Sequence, residues 1–157
     1  MKLGSLFDGS GGFPLAGAIH GISTAWASEI EPYPIRVTKA RFPQMKHLGN
    51  VLDVNGAEVE PVDIITFGSP CQDLSVAGRR AGLAGKRSGL FFEFMRVVGE
   101  LSPTWVLIEN VPGLLSSNGG RDMGTVLGTV AQLGYGWAYR VLDAQYFGVP
   151  QRRRRVF

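Results

Sequence analysis

The stretch KLGSLFDGSGGFPLAGAIH (Lys2–His20) decides the fold of this chain. Its first part, Lys2–Phe7, is apolar enough for a buried strand, and the glycine-rich turn Asp8–Gly12 follows at once. A short helix is predicted over Phe13–His20, because Pro14 falls in its first turn, where a missing N–H costs nothing. A strand, a glycine turn and a helix in immediate succession indicate an α/β layered domain.

The same alternation continues along the chain. Further strands are predicted at Ser23–Ile30, Asp63–Gly68, Trp105–Glu109 and Gly136–Asp143. Further helices are predicted at Pro32–Arg41, Ser88–Leu101 and Met123–Leu133, and residues 70–87 read as a loop. The runs at 63–68 and 105–109 are almost entirely apolar, as in strands buried on both faces. The expected fold is therefore an α/β domain with a largely parallel sheet.

Composition narrows the class of protein. A length of 157 residues fits one domain, and 45% hydrophobic with 18% charged residues excludes a disordered chain. The one cysteine, Cys71, excludes an intramolecular disulfide and a multi-cysteine zinc site. No apolar run approaches the ~18 residues of a membrane span, and the N-terminus lacks a signal-peptide profile. We expect a cytoplasmic protein with no metal and no membrane partner.

The positive charge is unevenly distributed. The net charge is +3, yet eight of the sixteen basic residues fall in two tight groups. These groups are Arg79, Arg80, Lys86 and Arg87, and then Arg152–Arg155. Either group alone is most simply a solvated surface, but two in one half of the chain favour a polyanionic partner.

The residues best suited to binding or catalysis follow the ends of the predicted strands. Ligands of parallel sheets bind at the carboxyl ends of the strands. The turn Asp8–Gly12 lacks the glycine spacing of a pyrophosphate loop, and it could equally be a tight connection between strand and helix. An acidic residue about 20 positions further on is where such sheets hold a ribose hydroxyl, and both Glu29 and Glu31 qualify. The sequence therefore predicts an adenosine-containing cofactor.

Cys71 is the strongest candidate for a catalytic residue. It follows Pro70 at the mouth of an apolar strand and precedes a basic loop, where a thiol is activated as a nucleophile. Inert packing is the alternative. A cysteine hydrolase is disfavoured, since neither His20 nor His47 neighbours Cys71 in this layout. Glu109, at the end of its strand, is either a helix cap or an acid and hydrogen-bond acceptor.

Four motifs together identify a resemblance. LFDGSGGF (Leu6–Phe13), GSPCQDLS (Gly68–Ser75), ENV (Glu109–Val111) and QRRRR (Gln151–Arg155) occur in the order and spacing of the cytosine-5 DNA methyltransferase family. The resemblance covers essentially all 157 residues. It implies a Rossmann-like methyltransferase fold, with a largely parallel sheet and helices on both faces, in which residues 1–157 form a catalytic and cofactor-binding domain.

The resemblance also implies a mechanism. Cys71 would add to C6 of a cytosine flipped out of double-stranded DNA, which makes C5 electron-rich. Glu109 would engage N3 and the exocyclic amine, Arg153 would position the base at O2, and Arg155 would support it. The loop Ser75–Ser88 would be mobile and contact DNA, through Gln72, Ser75, Arg79, Arg80, Lys86 and Arg87.

The implied methyl donor is S-adenosylmethionine, with S-adenosylhomocysteine as the product. The residues that match the family's cofactor positions are Phe7, Gly9, Ser10, Gly11, Gly12, Glu29, Ile30, Asn50 and Pro70. Two positions depart from the family pattern. Asn50 stands where an aspartate is usual, although its carbonyl oxygen can accept the same hydrogen bond, and Asp8 stands where a small residue is common.

Two other readings remain open at this point. The family's RNA-directed branch methylates transfer RNA, but Gln72 after Pro-Cys favours the DNA branch. The second alternative is a remnant of such an enzyme that binds cofactor or nucleic acid without catalysing methyl transfer. The resemblance places the target-recognition domain after Phe157, so we expect this chain to lack it and to be incomplete as an enzyme.

Overall fold

The structure of the protein, a computed structural model, describes residues 1–68 and 89–157. Its strands are β1 (Lys2–Leu6), β2 (Ser23–Ser28), β3 (Lys46–His47), β4 (Ile64–Gly68), β5 (Trp105–Glu109), β6 (Val141–Asp143) and β7 (Arg154–Val156). Its α-helices are α1 (Gly12–Ile19), α2 (Pro32–Arg41), α3 (Gly89–Leu101) and α4 (Arg121–Gln132). Short 3-10 helices occur at Val51–Asp53, Pro112–Leu115, Ser117–Gly120 and Ala144–Phe147. The described residues divide into two compact units, the first holding 1–68 and 96–108 and the second 89–95 and 109–157.

A five-stranded sheet of order β3-β2-β1-β4-β5 organises the first unit. β1 pairs in parallel with both β2 and β4, and β2 pairs in parallel with β3. The prediction of an α/β fold with a largely parallel sheet is confirmed. Strand order reverses between β1 and β4, and ligands of open α/β sheets bind at such a reversal. The turn that follows β1 therefore lies at the position where this architecture holds ligands.

At the centre of the sheet, the side chain of Trp26 packs closely against the backbone of Gly4. Trp26 of β2 is buried, and its indole N–H donates to the carbonyl oxygen of Glu60 at 2.9 Å. The indole lies directly over Gly4, where an added Cβ would stand 2.2 Å from its Cζ2 atom. Glycine is thus required at this position of β1. The apolar neighbours that complete the core here are Leu3, Leu6, Ile65 and Phe67.

The segment after β3 is held in place by α3. Arg96 donates to the carbonyl oxygens of Val54 at 2.9 Å and Val51 at 3.2 Å, and it pairs with Glu100 at 2.8 Å. Glu100 in turn accepts from the backbone N–H of Gly56 at 2.8 Å. These two donors hold the pKa of Glu100 below its ordinary value. One ion pair therefore fixes a loop that has little regular structure of its own.

The second unit contains a two-stranded antiparallel sheet, which the sequence did not predict. β6 pairs with β7, and Asn110 and Val156 exchange two backbone hydrogen bonds of 2.9 Å. The predicted strand Gly136–Asp143 is only partly right, since only its last three residues form β6. Within the described part of the chain, residues 136–139 have no backbone partner on another strand. Alternating apolar residues favour an extended backbone, but a β-strand also requires hydrogen bonds to a neighbouring strand.

The remaining boundaries differ from the predictions by small shifts. α2 and β5 agree with the predicted bounds, and α3 begins one residue later than predicted. α4 begins two residues earlier, and the two-residue strand β3 was missed. No helix in the described residues combines the length and the apolar character needed to cross a membrane.

Candidate active site

The turn between β1 and α1 is a tightly wound backbone segment. Gly9 and Gly11 have φ angles of 54° and 83°, in the left-handed region that favours glycine. Phe7 adopts a φ of 56°, which is strained for an aromatic residue, and its ring packs edge-on against Phe67 with centroids 5.2 Å apart. A Cβ on Gly11 would also lie only 2.9 Å from the methyl group of Thr38. The predicted glycine turn is thus required by both conformation and space.

Glu29 ties the end of β2 to this turn. Its Oε2 atom accepts from the N–H of Gly9 at 2.8 Å. Its Oε1 atom accepts from the N–H groups of Ile30 and Glu31, at 2.8 and 2.9 Å. A carboxylate has about four acceptor positions, so this one retains capacity for a further donor. The side chain of Glu31, the second candidate from the sequence, is exposed. The structure therefore brings Glu29 to the turn.

Asn50 lies in the next loop along the same edge. Its side-chain oxygen accepts from the N–H of Leu52 at 3.1 Å, which leaves one lone pair of that oxygen. The preceding Gly49 has a φ of 76°, and its carbonyl oxygen accepts from the hydroxyl of Ser28 at 2.8 Å. The loop is therefore attached to the end of β2, one residue before Glu29.

These residues suit an adenosine-containing group. A ribose diol needs a carboxylate acceptor, which Glu29 supplies, and an adenine needs an apolar contact and an acceptor for its amine. Ile30 is 63% exposed beside Glu29, a large apolar side chain free to be covered, and Asn50 supplies the acceptor. Of the other predicted cofactor residues, Ser10 and Gly12 lie exposed on the turn. The predicted set that is described thus gathers on the turn and the two adjoining loops.

Asp8 is the feature of this turn that the sequence did not explain. Its carboxyl is buried, with Oδ1 accepting from the Ser5 hydroxyl at 2.6 Å, and Ser5 accepts from the Thr66 hydroxyl at 3.2 Å. Among the described residues, Oδ2 has no hydrogen-bond partner. Burial raises the pKa of Asp8 to about 6, the Ser5 hydrogen bond opposes the rise, and the charge of Glu29 adds to it. An acidic residue inside a glycine turn was the only signal in the sequence.

In the second unit, Glu109 lies between two arginines. Its side chain is 18% exposed, and its Oε1 atom is 2.8 Å from Nε of Arg155 and 3.6 Å from a terminal nitrogen of Arg153. The bridge between Asn110 and Val156 sets this approach, because it places β7 beside the residue that follows Glu109. The predicted carboxylate and both predicted arginines are thus brought together.

The backbone of this arginine segment is also anchored. Asp143 accepts from the N–H of Arg153 at 3.1 Å, and the carbonyl oxygen of Arg153 accepts from the N–H of Ala144 at 3.0 Å. Arg152 and Arg154 are exposed, whereas Arg155 is turned toward Glu109 with 23% of its side chain exposed. Arg153 is exposed as well, so Arg155 is the one arginine of the run with a partly buried side chain, and only part of the run is a fully solvated surface.

The other predicted residues cannot be placed. They lie outside the described residues and are Pro70, Cys71, Gln72, Ser75, Arg79, Arg80, Lys86 and Arg87. Within residues 1–68 and 89–157, no three His, Cys, Asp or Glu side chains are grouped so as to hold a metal ion.

Comparison with protein families gives a match along the whole chain. The model of the C-5 cytosine-specific DNA methylases matches residues 1–157. Type II methyltransferase M2.BsuMI of Bacillus subtilis is 39% identical over 160 residues, which cover 99% of this chain and 41% of that protein. Type II methyltransferase M.HhaI of Haemophilus parahaemolyticus is 34% identical, over 100% of this chain and 48% of its own length. The chain thus spans less than half the length of these relatives.

Solved structures show the same fold. A candidate DNA modification methyltransferase encoded within an Escherichia coli prophage superposes with a TM-score of 0.81, at 28% identity, over 99% of this chain and 45% of that one. The Dnmt2 methyltransferase of Schizosaccharomyces pombe gives a TM-score of 0.73 at 22% identity, over 99% of this chain and 49% of the other. The second likeness supports the fold alone.

Proposed function

Because this chain belongs to the C-5 cytosine-specific DNA methylase family, we propose that residues 1–157 are the catalytic and cofactor-binding part of a DNA (cytosine-5-)-methyltransferase. Its substrate is cytosine in double-stranded DNA, and its methyl donor is S-adenosylmethionine. The observation that carries the proposal is the largely buried carboxylate of Glu109, with the guanidinium of Arg155 at 2.8 Å and that of Arg153 at 3.6 Å. This arrangement suits a planar base that offers both donors and acceptors.

The chemistry begins with the weak reactivity of cytosine. C5 of the ring is a poor nucleophile, whereas addition of a thiolate to C6 turns the ring into an enamine whose C5 is electron-rich. Cys71 is the one thiol in the chain, so it is the nucleophile in this proposal. Once C5 has gained a methyl group, its proton passes to water, and expulsion of the thiolate from C6 restores the ring and frees the enzyme.

Glu109 and the arginines act on the ring while the thiolate adds. Negative charge develops at N3 and O2 during this attack, so a proton delivered to N3 lowers the barrier. Glu109 accepts a hydrogen bond from the exocyclic amine, and after its carboxylate has taken up a proton from water it passes that proton to N3. Arg153, with 48% of its side chain exposed, is available to O2, while Arg155 holds the carboxylate in position. A base inside a duplex is out of reach of these groups, so the target is flipped out.

The turn after β1 and the ends of the adjoining loops hold the cofactor. Glu29 accepts from a ribose hydroxyl, Ile30 covers the adenine and Asn50 accepts from its amine; Pro70, which lies outside the described residues, is assigned to the same cofactor by the resemblance. The turn residues Phe7, Gly9, Ser10, Gly11 and Gly12 surround the methionine end. When bound, S-adenosylmethionine supplies an electrophilic methyl group. The basic residues of 72–87 contact the phosphates of DNA.

Cofactor binding gives a direct test in the 157-residue chain. We expect S-adenosylhomocysteine to bind the chain in a calorimetric titration and Glu29→Gln to weaken binding about 10- to 100-fold. The amide keeps the shape of the side chain, but the ribose hydroxyl loses a charged acceptor, and a charged hydrogen bond contributes roughly 1.5–3 kcal/mol.

Glu31→Gln is the matched control, because Glu31 is two residues away and its side chain is exposed. Its affinity should stay within about twofold of the unmodified chain. Equal losses in the two variants, or no loss in Glu29→Gln, would refute the assignment of Glu29. Absence of binding by the unmodified chain would refute the proposed cofactor site.

A further inference from the structure

We propose that Asp8 is a specificity-determining residue of the cofactor site, whose buried carboxylate favours the cationic S-adenosylmethionine over the product S-adenosylhomocysteine. The two ligands share their amino-acid and adenosine parts and differ by one methyl group and the positive charge of the sulfonium. The inference rests on the proposed function and deepens it, because it concerns how the same site distinguishes donor from product.

The first observation is the unusual surroundings of this carboxyl. Asp8 is 6% exposed, and the Ser5 hydroxyl donates to its Oδ1 at 2.6 Å. Ser5 itself accepts from the hydroxyl of Thr66, so the chain of hydrogen bonds ends on Asp8. The other oxygen, Oδ2, has no donor among the described residues. A buried acceptor without a partner is costly, and a nearby positive charge would reduce that cost.

The second observation is the position of Asp8 within the turn. It directly precedes Gly9, whose N–H donates to Glu29, and its own N–H donates to the carbonyl oxygen of Ser28 at 3.3 Å. Asp8 and Glu29 thus place two carboxyl groups at one end of the sheet. In the described part of the chain, neither forms an ion pair with a lysine, arginine or histidine. The turn therefore has an excess of negative charge that a cationic ligand would balance.

The charge of Asp8 depends on pH in the range where the two ligands keep their own charges. Burial raises the pKa of Asp8 to about 6, and Glu29 contributes in the same direction. The groups that contact Asp8 from β1 and from the end of β2 are the Ser5 hydroxyl and the Ser28 carbonyl, which do not titrate. The carboxyl is mostly protonated at pH 5 and mostly ionised at pH 7.

A bound sulfonium cation favours the ionised form, so binding lowers the pKa of Asp8 and releases protons. An opposite charge close to a carboxyl lowers its pKa by about 1 to 3, and we take the lower end of that range, a coupling of about tenfold in affinity, for the sulfonium and Asp8. With that coupling, the affinity for S-adenosylmethionine rises roughly fivefold from pH 5 to pH 7. S-adenosylhomocysteine lacks the sulfonium charge and should show little of this rise.

The test compares both ligands by calorimetric titration of the 157-residue chain at pH 5 and pH 7. The affinity ratio of S-adenosylmethionine to S-adenosylhomocysteine should rise roughly fivefold in the unmodified chain and stay constant in Asp8→Asn. Asp63→Asn is the matched control, because Asp63 immediately precedes β4, at the opposite end of that strand from the cofactor turn, and accepts from the N–H of Lys2. This variant should behave like the unmodified chain.

A second measurement needs no variant. At pH 6, titrations in buffers of different ionisation enthalpy should show about 0.4 more protons released with S-adenosylmethionine than with S-adenosylhomocysteine. Asp8→Asn is expected to fold at pH 7. A carboxyl with a raised pKa stabilises the fold below about pH 4, and that contribution is lost as the pH rises through about 6.

The outcomes separate this proposal from the proposed function. A ratio that does not change with pH in the unmodified chain, or the same change in Asp8→Asn, overturns the role of Asp8 while the cofactor site stands. Binding of neither ligand by the unmodified chain overturns the cofactor site and this proposal together. If Asp8 had only a structural role, Asp8→Asn would change both affinities by the same factor. The affinity ratio of the variant at pH 7 would then equal that of the unmodified chain.

Discussion

Cys71→Ala should abolish methyl transfer to DNA, with a loss of at least about 10⁴-fold in kcat. The reason is chemical, because without a thiolate on C6 the C5 atom of cytosine is too electron-poor to take up a methyl group. No other residue can replace the thiol, since Cys71 is the one cysteine in the chain. Cys71→Ser should lose almost as much activity, because a hydroxyl is far less ionised than a thiol at neutral pH.

The measurement is transfer of a radiolabelled methyl group to mixed-sequence duplex DNA by the protein that carries these 157 residues. Binding of S-adenosylhomocysteine serves as the control, and it should stay within about twofold in both variants. Retention of more than a tenth of the activity in Cys71→Ala would exclude a covalent mechanism through this residue.

Glu109→Gln should lower kcat by about 10² to 10⁴, the usual contribution of a positioned general acid. The amide can still accept from the exocyclic amine of cytosine, but it has no proton for N3. It also removes the negative charge that holds the Arg155 guanidinium at 2.8 Å. The effect should fall on kcat more than on KM for DNA, since protonation of N3 matters in the transition state.

Glu100→Gln is the matched control for this change. Glu100 pairs with Arg96 at the same distance of 2.8 Å, but that pair holds the loop at 51–56 and touches no predicted catalytic residue. Its kcat should remain within about twofold of the unmodified protein. If both variants lost activity equally, the loss in Glu109→Gln would reflect a broken ion pair and not the loss of an acid.

Local sequence patterns predicted the central sheet well, because its strands are marked by composition. The nearly all-apolar runs identify β4 and β5 as strands, and glycine turns and prolines mark where α1 and α2 begin. The prediction of burial on both faces is confirmed for β4 but wrong for β5, where Trp105 and Leu107 are exposed among the described residues. The antiparallel pair β6–β7 was missed for a physical reason. β7 pairs with β6 and also bridges through Val156 to Asn110, more than 40 residues away in sequence, and the periodicity of one segment does not report such partners.

The candidate site was predictable to a similar extent. An acidic residue about 20 positions after a glycine turn led to Glu29, and the structure finds its carboxylate on the N–H of Gly9. The choice between Glu29 and Glu31 needed the resemblance or the structure, since both stand at the end of the strand. Burial of Asp8 was not predictable, because it arises from Ser5 and Thr66, which meet only when β1 and β4 pair.

The covalent intermediate is the most direct test of the central claim, and 5-fluorocytosine traps it. Fluorine at C5 cannot leave as a proton does, so an enzyme that adds a thiolate to C6 and methylates C5 stays bonded to the DNA. Duplexes of mixed sequence containing 5-fluorocytosine should form a complex with the protein that survives denaturing electrophoresis. Its formation should require S-adenosylmethionine and should be lost in Cys71→Ser. An undiminished complex in Cys71→Ser, or none with the unmodified protein bound to DNA and cofactor, would contradict the account.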